Sequence, residues 1–289
     1  MSSQDWLTRI SKLDARVVFT LIFILMIIPL VSPMGLPIPI SKEVQSAFNF
    51  VESLPKGSIV YFGNEYNAPA WMELGPSYVA VLKHLKTRGL RFVFLTSFYG
   101  EALTATDGMI KVRAGVSTNP KLGVEELGLV YGKDFVDLGY LPGGESALAA
   151  FAANPKVVKT DRYGNAWDSI PLCQDIKTPK DFALCVQLDP GAHLPEYLRQ
   201  FQETYGLPFI TITYGVTKSA YIPYIISGQL KGMMAAIDSA AQYEQLIKKP
   251  AEASAGMDAV STSHMLAAAL MIIGNVAFFV EKQRGKGKH

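Results

Sequence analysis

The chain is poor in the residues that usually mark a metal centre or a disulfide framework. Its 289 residues include only four histidines and two cysteines. The histidines form no ligand cluster, so we expect no metal site. Cys173 and Cys185 are close in sequence, and a disulfide between them is possible if this region faces an oxidising compartment. The alternative is a free thiol, because Cys185 lies in the apolar run FALCV, where a buried cysteine is common.

Sequence signatures of nucleotide cofactors and of common nucleophiles are also missing. The chain contains no G-x-G-x-x-G, no G-x-x-x-x-G-K-[ST] and no G-x-S-x-G. We therefore expect no bound cofactor, and the sequence does not favour an enzyme. The small basic excess lies at the two ends, which leaves the centre near neutral. This charge distribution excludes nucleic acid as an expected partner.

Two long uncharged runs stand out in a chain that is 49% hydrophobic. The first starts at Val17 and reads VVFTLIFILMIIPLVSPMGLPIPI, with no charge before Lys42. The second, HMLAAALMIIGNVAFFV, ends at Val280. A membrane-spanning helix needs about 20 predominantly apolar residues. The sequence therefore predicts two transmembrane helices, at 17–36 and 262–280.

The first run has a cleaved signal peptide as its alternative, since basic residues precede it and small ones follow. A retained anchor is favoured because the preceding segment is long and mixed in charge, and Pro33-Met34-Gly35 is not an A-x-A site. Lysines and arginines concentrate before the first run and after the second, which predicts that both termini are cytoplasmic. The expected organisation is a cytoplasmic segment (1–16), a helix (17–36), an extracytoplasmic domain (41–261), a helix (262–280) and a basic tail (281–289). Inner-leaflet lipid is then the expected partner of the basic ends.

The central region alternates short apolar runs with helical patterns. Runs rich in Val, Ile and Phe, bounded by Gly or Pro and separated by helices, are typical of a parallel sheet covered on both faces. The expected strands are Ser58–Phe62, Arg91–Phe98, Asp134–Tyr140, Phe182–Leu188 and Pro208–Tyr214. The expected helices are Pro69–Thr87, Glu145–Asn154, Pro195–Tyr205 and Ala220–Ile247. The fold class is therefore α/β, a doubly wound, mostly parallel Rossmann-like sheet domain between the two membrane helices.

Two stretches of the central region have weaker patterns. Between Gly100 and Gly132 we expect a helix at Glu101–Ile110 and a loop at Ser117–Pro120. The segment Lys156–Lys180 is polar and rich in turns, which predicts an excursion from the sheet.

Ligands of open parallel sheets bind beyond the carboxyl ends of the strands. The sequence places six candidate ligand-binding residues there: Glu65, Ser97, Gly143, Gly144, Glu145 and Asp189. Two glycines before a helix can offer backbone N–H groups to an anion. A structural corner is the favoured interpretation of this pair, because Glu145 puts a negative charge where the anion would bind.

Asp189 and His193 are the only candidates for catalysis, and both are weak. An acid that orients an imidazole is a common catalytic arrangement. Asp-Pro-Gly is also an ordinary turn sequence, and His193 lies where a helix is expected to start. A hydrolase is therefore a third hypothesis, behind an assembly protein and a protein that binds or senses a small ligand.

Small residues recur at helical spacing in the predicted helix 220–247, as Gly228, Gly232 and Ala236. The second apolar run also combines Gly274 with the polar Asn275. Such positions allow close approach of another helix, and a polar residue at membrane depth tends to face a neighbour. These five residues are therefore predicted to lie in an interface with another helix or protein. The leading hypothesis is a membrane-anchored, non-catalytic assembly or accessory protein that forms a homo-oligomer or joins other membrane proteins.

Overall fold

The computed structural model of the protein describes residues 14–103, 129–191 and 193–286. The described chain divides into two compact units, one formed by residues 38–249 and the other by the segments before and after it. The expected helix at Glu101–Ile110 falls mostly outside the described residues, and the expected loop at Ser117–Pro120 falls wholly outside them.

The unit formed by residues 38–249 is built on one parallel sheet of six strands. The strands are β1 (Ile59–Asn64), β2 (Arg91–Thr96), β3 (Phe135–Tyr140), β4 (Phe182–Leu188), β5 (Phe209–Thr213) and β6 (Leu230–Ala235), in the order β3-β2-β1-β4-β5-β6. Each neighbouring pair is parallel. This confirms the α/β, Rossmann-like fold. The sequence predicts five of the six strands.

Helices cover both faces of the sheet, because alternate residues of each buried strand point to opposite sides. On one face, Val60 and Phe62 pack with helices α2 (Lys42–Ser53) and α3 (Ala68–Thr87). On the other face, Ile59 and Tyr61 pack with α4 (Glu145–Ala153) and with the elements that follow β3 and β4. The other α-helices among the described residues of this unit are α5 (Pro171–Gln174), α6 (Leu194–Tyr197), which continues as a π-helical turn to Glu203, α7 (Lys218–Ile226) and α8 (Ala236–Leu246).

The prediction of one continuous helix at 220–247 is wrong. The stretch forms α7, then β6 and then α8, and Pro223 lies inside α7 rather than in its first turn. The break comes at Ser227-Gly228, where Gly228 has a φ of +79°, a left-handed conformation that glycine adopts readily. A strand flanked by two helices shows no alternating pattern when it is buried along most of its length, and LKGMMA is buried at every position but one.

Cys173 and Cys185 are both buried and free, so the possible disulfide is not formed. Cys185 lies within β4 and Cys173 within α5. Burial and the nearby Asp161 raise the pKa of Cys173 to about 12. Burial also raises the pKa of Cys185. Both residues therefore behave as the small core hydrophobes of the alternative interpretation.

The polar segment after α4 is an excursion from the sheet, as expected, and acidic residues fold it back. Asp161 accepts hydrogen bonds from the Tyr131 hydroxyl at 2.6 Å and from the Asn165 side chain at 2.8 Å. Asp137, in β3, pairs with Arg162 at 3.1 Å. These contacts hold the excursion against the end of β3.

The second unit contains α1 (Ala15–Val31) and α9 (Glu252–Lys286). Within the described residues, one helix is long and apolar enough to cross a membrane, the part of α9 from Glu252 to Val280. Only 6% of its apolar window is buried, unlike a core helix of a soluble domain. Of the two predicted spanning helices, the second therefore has the length and composition of a membrane span, and the first falls short of them. Helix α1 has 17 residues and ends at Val31, because prolines follow at 33, 37 and 39 and disfavour helix in the residues before them.

Candidate functional site at the carboxyl edge of the sheet

The strand order reverses between β1 and β4, which are neighbours at the centre of the sheet. Ligands of doubly wound sheets bind beyond the carboxyl ends of the strands at this point. Glu65 follows β1 and Asp189 follows β4, and both side chains are fully buried. The Glu65 backbone N–H donates to the Leu188 carbonyl at 2.9 Å. The structure therefore brings these two predicted residues to adjacent strand ends.

The Glu65 carboxylate fixes the loop that follows β2. Five donors lie at 2.7 to 3.3 Å from its oxygens: the backbone N–H groups of Ser97, Phe98 and Tyr99 and the hydroxyls of Thr96 and Tyr197. An ionised carboxylate has about four lone-pair positions for hydrogen bonds. Its accepting capacity is therefore used within the protein. Glu65 acts as an anchor for this loop rather than as an exposed ligand contact.

Asp189 fixes the start of α6 in the same way. Its Oδ2 accepts from the backbone N–H groups of His193 and Leu194 at 3.0 and 3.1 Å, and from the Tyr221 hydroxyl at 2.8 Å. Burial and the Asp189 charge raise the pKa of Tyr221, so this hydroxyl remains protonated as a donor. The Asp189 carboxylate thus joins the start of α6 to helix α7.

The Asp–His arrangement expected of a hydrolase is not formed. The Asp189 oxygen that lies near His193 bonds its backbone and not its ring. The His193 imidazole instead stacks on Phe98, with ring centroids 3.8 Å apart and planes 12° from parallel. Its Nδ1 lies 4.0 Å from Glu196 Oε1. The interaction that would make His193 a catalytic base is therefore absent from the described residues.

The Gly143–Gly144 pair forms a tight corner before α4. Both glycines have positive φ, +129° and +57°. The Gly144 N–H donates to the Ser97 carbonyl at 3.1 Å, and a Cβ on Gly144 would come within 3.0 Å of the Phe98 ring. The corner needs glycine because its conformation is left-handed and because Phe98 lies against it.

Glu145 occupies the start of α4 and is paired there. Arg199 donates two hydrogen bonds to its carboxylate, at 3.0 and 2.9 Å, and Gln200 donates a third at 3.0 Å. The Arg199 guanidinium and Gln200 lower the pKa of Glu145. A stable negative charge therefore sits at the helix start, which disfavours an anion at that position.

Some polar atoms at this edge remain without a partner. The Ser97 hydroxyl and His193 Nδ1 are buried and make no hydrogen bond with any described residue. Buried polar atoms without partners are uncommon in native proteins and usually indicate water or a ligand. Asn64 Oδ1 at the end of β1 and Glu196 Oε2 in α6 are also without a hydrogen bond, so hydrogen-bonding capacity at this edge lies in these atoms rather than in the Glu65 and Asp189 carboxylates. Across the described chain, no group of three or more metal-ligating side chains is present.

The predicted interface residues lie in different environments. Gly232 is in β6, where an added Cβ would lie 2.5 Å from the backbone of Ala47 in α2. Gly228 is in the turn before β6, and Ala236 starts α8 with a φ of +65°. These three residues therefore form no stripe on one helix, and the close packing of α2 explains Gly232. Gly274 and Asn275 lie on α9, and a Cβ on Gly274 would meet no atom within 4 Å.

Sequence reasoning missed Tyr197 and Tyr221, whose hydroxyls bond the two buried carboxylates. They lie 132 and 32 residues from their partners. No local pattern marks such pairs, because they form only when the sheet and its covering helices are assembled.

No protein-family model matches the sequence, and no curated protein is significantly similar to it.

Proposed function

We propose that this chain is a membrane-anchored, non-catalytic assembly or accessory protein. In this proposal the α/β domain lies outside the cytoplasm, and the membrane helices associate with copies of the chain or with a larger membrane complex. The observation that carries the proposal is the exposed amide of Asn275 beside Gly274 on α9.

Asn275 lies within the apolar part of α9 and is exposed. It makes no hydrogen bond with the described residues of the chain. An amide within the hydrocarbon region is costly unless another polar group satisfies it, so polar residues there tend to face a neighbouring helix. The open space at Gly274 leaves room for a helix backbone to approach closely.

Contacts between α1 and α9, within the second unit, support a two-pass arrangement. The Thr262 hydroxyl donates to the Leu25 carbonyl of α1 at 3.1 Å. Asp258 accepts backbone hydrogen bonds of 2.7 to 2.8 Å from Met34, Gly35 and Leu36, which follow α1. These contacts pair the two helices in an antiparallel manner, as two successive spans require. The 17 residues of α1 fall at the short end of the range for a spanning helix, about 17–25.

The lysines and arginines that flank the two helices support cytoplasmic termini and an extracytoplasmic central domain. Labelling with a membrane-impermeant maleimide tests this topology. A cysteine in place of the exposed Lys159 should react in intact cells, and one in place of Lys288 only after lysis. The reverse pattern would refute the orientation. The two native cysteines are buried and should not interfere.

The carboxylates at the carboxyl edge form hydrogen bonds within the domain, and this supports a non-catalytic role. Glu65, Glu145 and Asp189 all bond loops or helix starts of the same domain. They stabilise the edge where an enzyme of this fold would place its reacting groups.

Substitution of Asn275 tests the assembly proposal. Asn275→Leu should shift the protein in mild detergent towards smaller species, measured by analytical ultracentrifugation. Val276→Leu is the matched control, because this neighbouring exposed position lies about 100° further around the helix. If Asn275→Leu and Val276→Leu both sediment like the wild type, Asn275 does not hold an assembly together.

A second candidate function is the binding of a small polar ligand at the carboxyl edge. The unpartnered Ser97 hydroxyl and His193 Nδ1 favour it. A metabolite that binds there should raise Tm in the wild type and raise it less in Ser97→Ala. A flat response of the wild type across a broad metabolite panel would count against this candidate.

A further inference from the structure

A second concave surface lies away from the carboxyl edge, where α2, α3 and the end of α8 meet. It encloses a cavity of about 150 Å³. Phe48, Leu246 and Ile247 provide its apolar lining, and the polar lining includes Glu52, Lys83, His84, Lys248 and Lys249. A cavity of this size holds a small molecule or several waters.

Three lysines and one glutamate are among the residues that line the cavity. Lys83, Lys248 and Lys249 form no ion pair with any described residue. The Glu52 carboxylate is already engaged, with His84 Nε2 at 2.7 Å and with Arg88 at 3.5 Å. The three lysines and Arg88 therefore outnumber the two nearby carboxylates, Glu52 and Glu244.

The chain places two of these lysines through an unusual helix end. Lys248 has a φ of +55°, a left-handed conformation that is strained for a residue with a side chain and normally favours glycine. The N–H groups of Lys248 and Lys249 donate to the carbonyls of Gln245 and Glu244 at 3.1 and 3.0 Å. This turn closes α8 and brings both lysines to the rim of the cavity.

Lys83 is partly buried beside these residues. Burial lowers the pKa of Lys83, the Glu244 carboxylate opposes this effect, and the Lys249 charge adds to it. The positive charges of Lys83 and Lys249 therefore repel each other. A bound anion would relieve that repulsion.

We propose that this cavity binds a small phosphate-bearing anion. Three lysines that line one space suit a group with more than one negative charge, and lysine is a common phosphate ligand. The apolar lining would accept the organic part of the molecule. The phosphate can come from a free organic phosphate or from the headgroup of an anionic lipid. This proposal does not depend on the assembly function.

Isothermal titration of the full-length protein in an uncharged detergent tests the site. The probes are pyrophosphate, water-soluble dihexanoylphosphatidylglycerol and, as the neutral comparison, dihexanoylphosphatidylcholine. We expect at least one anionic probe to bind, with affinity that falls as salt rises. Tighter binding of pyrophosphate would indicate a soluble source, and tighter binding of the phosphatidylglycerol would indicate a lipid.

Two variants locate the binding. Lys83→Gln and Lys248→Gly should each lower the affinity for the anionic probe about tenfold, since each removes one charged hydrogen bond. Lys248→Gly is informative because glycine suits the local backbone, so lost binding cannot be ascribed to lost folding. Lys159→Gln, an exposed lysine outside the cavity, should bind like the wild type. The proposal is overturned if neither anionic probe binds, or if both cavity variants bind as the wild type does.

Discussion

The Tyr197 hydroxyl donates a 2.7 Å hydrogen bond to Glu65 Oε1 beneath the carboxyl edge of the sheet. Both residues are fully buried, and Gly63 of β1 lies directly against the Tyr197 ring. The Tyr197 ring therefore packs tightly on the end of β1, next to the edge where doubly wound sheets bind ligands. Burial and the Glu65 charge raise the pKa of Tyr197, so the hydroxyl remains a donor. This pair ties helix α6 to the loop that follows β1.

Removal of this hydroxyl should destabilise the domain. Tyr197→Phe leaves the ring in place and takes one donor from a buried carboxylate, which typically costs about 1–3 kcal/mol. Urea unfolding followed by circular dichroism measures the change. Tyr224→Phe serves as the control, since Tyr224 is only half-buried and its hydroxyl bonds no described residue. Equal stability of the two variants would show that the Tyr197–Glu65 contact contributes little.

Gly232 should be intolerant of any side chain. A Cβ there would lie 2.5 Å from the Ala47 backbone, so α2 would have to move away from β6. Overpacking of this kind costs about 1–3 kcal/mol. Thermal unfolding of Gly232→Ala should show a lower Tm than that of Gly100→Ala, where the added methyl would meet the Tyr140 ring at 3.4 Å, an ordinary contact distance. An unchanged Tm in Gly232→Ala would contradict the close packing of α2.

Stability should fall on mild acidification because of His84. Its Nδ1 lies 2.8 Å from the Tyr243 hydroxyl and its Nε2 lies 2.7 Å from Glu52. Burial lowers the pKa of His84 below its ordinary 6.5, although Glu52 opposes this. The unfolded chain therefore binds a proton more readily than the folded one, and stability is complete above pH 6.5 and declines as pH falls below it.

Chemical unfolding between pH 8 and pH 5 measures this effect. The loss of stability on acidification should be smaller in His84→Gln than in the wild type. If other groups cause the acid sensitivity, the free energy of unfolding should fall equally with pH in His84→Gln and in the wild type.

The cysteines should be unreactive in the folded protein. Cys173 and Cys185 are buried, and burial raises the pKa of both thiols, which keeps them protonated. Ellman's reagent should therefore detect two thiols in denaturant without reductant and almost none in the native state. A mass that increases by two hydrogens on reduction would reveal a disulfide and contradict the structure.

The sequence predicts most of the sheet but not its last strand. Buried runs such as FALCV and FITIT are short, branched and bounded by turns, so their strands are recognisable. The segment LKGMMA has no β-branched residue, and the small-residue spacing of the alanine-rich helix after it extends back into it. The dipeptide Ser227-Gly228 is the signal that could have separated them.

At the candidate site, the positions of Glu65 and Asp189 follow from the parallel sheet, because the carboxyl ends of its strands share one edge. Their roles do not follow, since these depend on the distant Tyr197 and Tyr221. The predicted interface shows the same limit. Gly232 appeared to belong to a helical stripe, and only the packing of α2 on β6 reveals why it is glycine.

The decisive experiment for the assembly proposal is native mass spectrometry of the full-length protein, extracted from its own membranes in mild detergent. We expect a discrete oligomer, or a complex with another membrane protein in fixed stoichiometry, that Asn275→Leu weakens. A monomer that retains a small molecule at the carboxyl edge, with the same spectrum in Asn275→Leu, would contradict it.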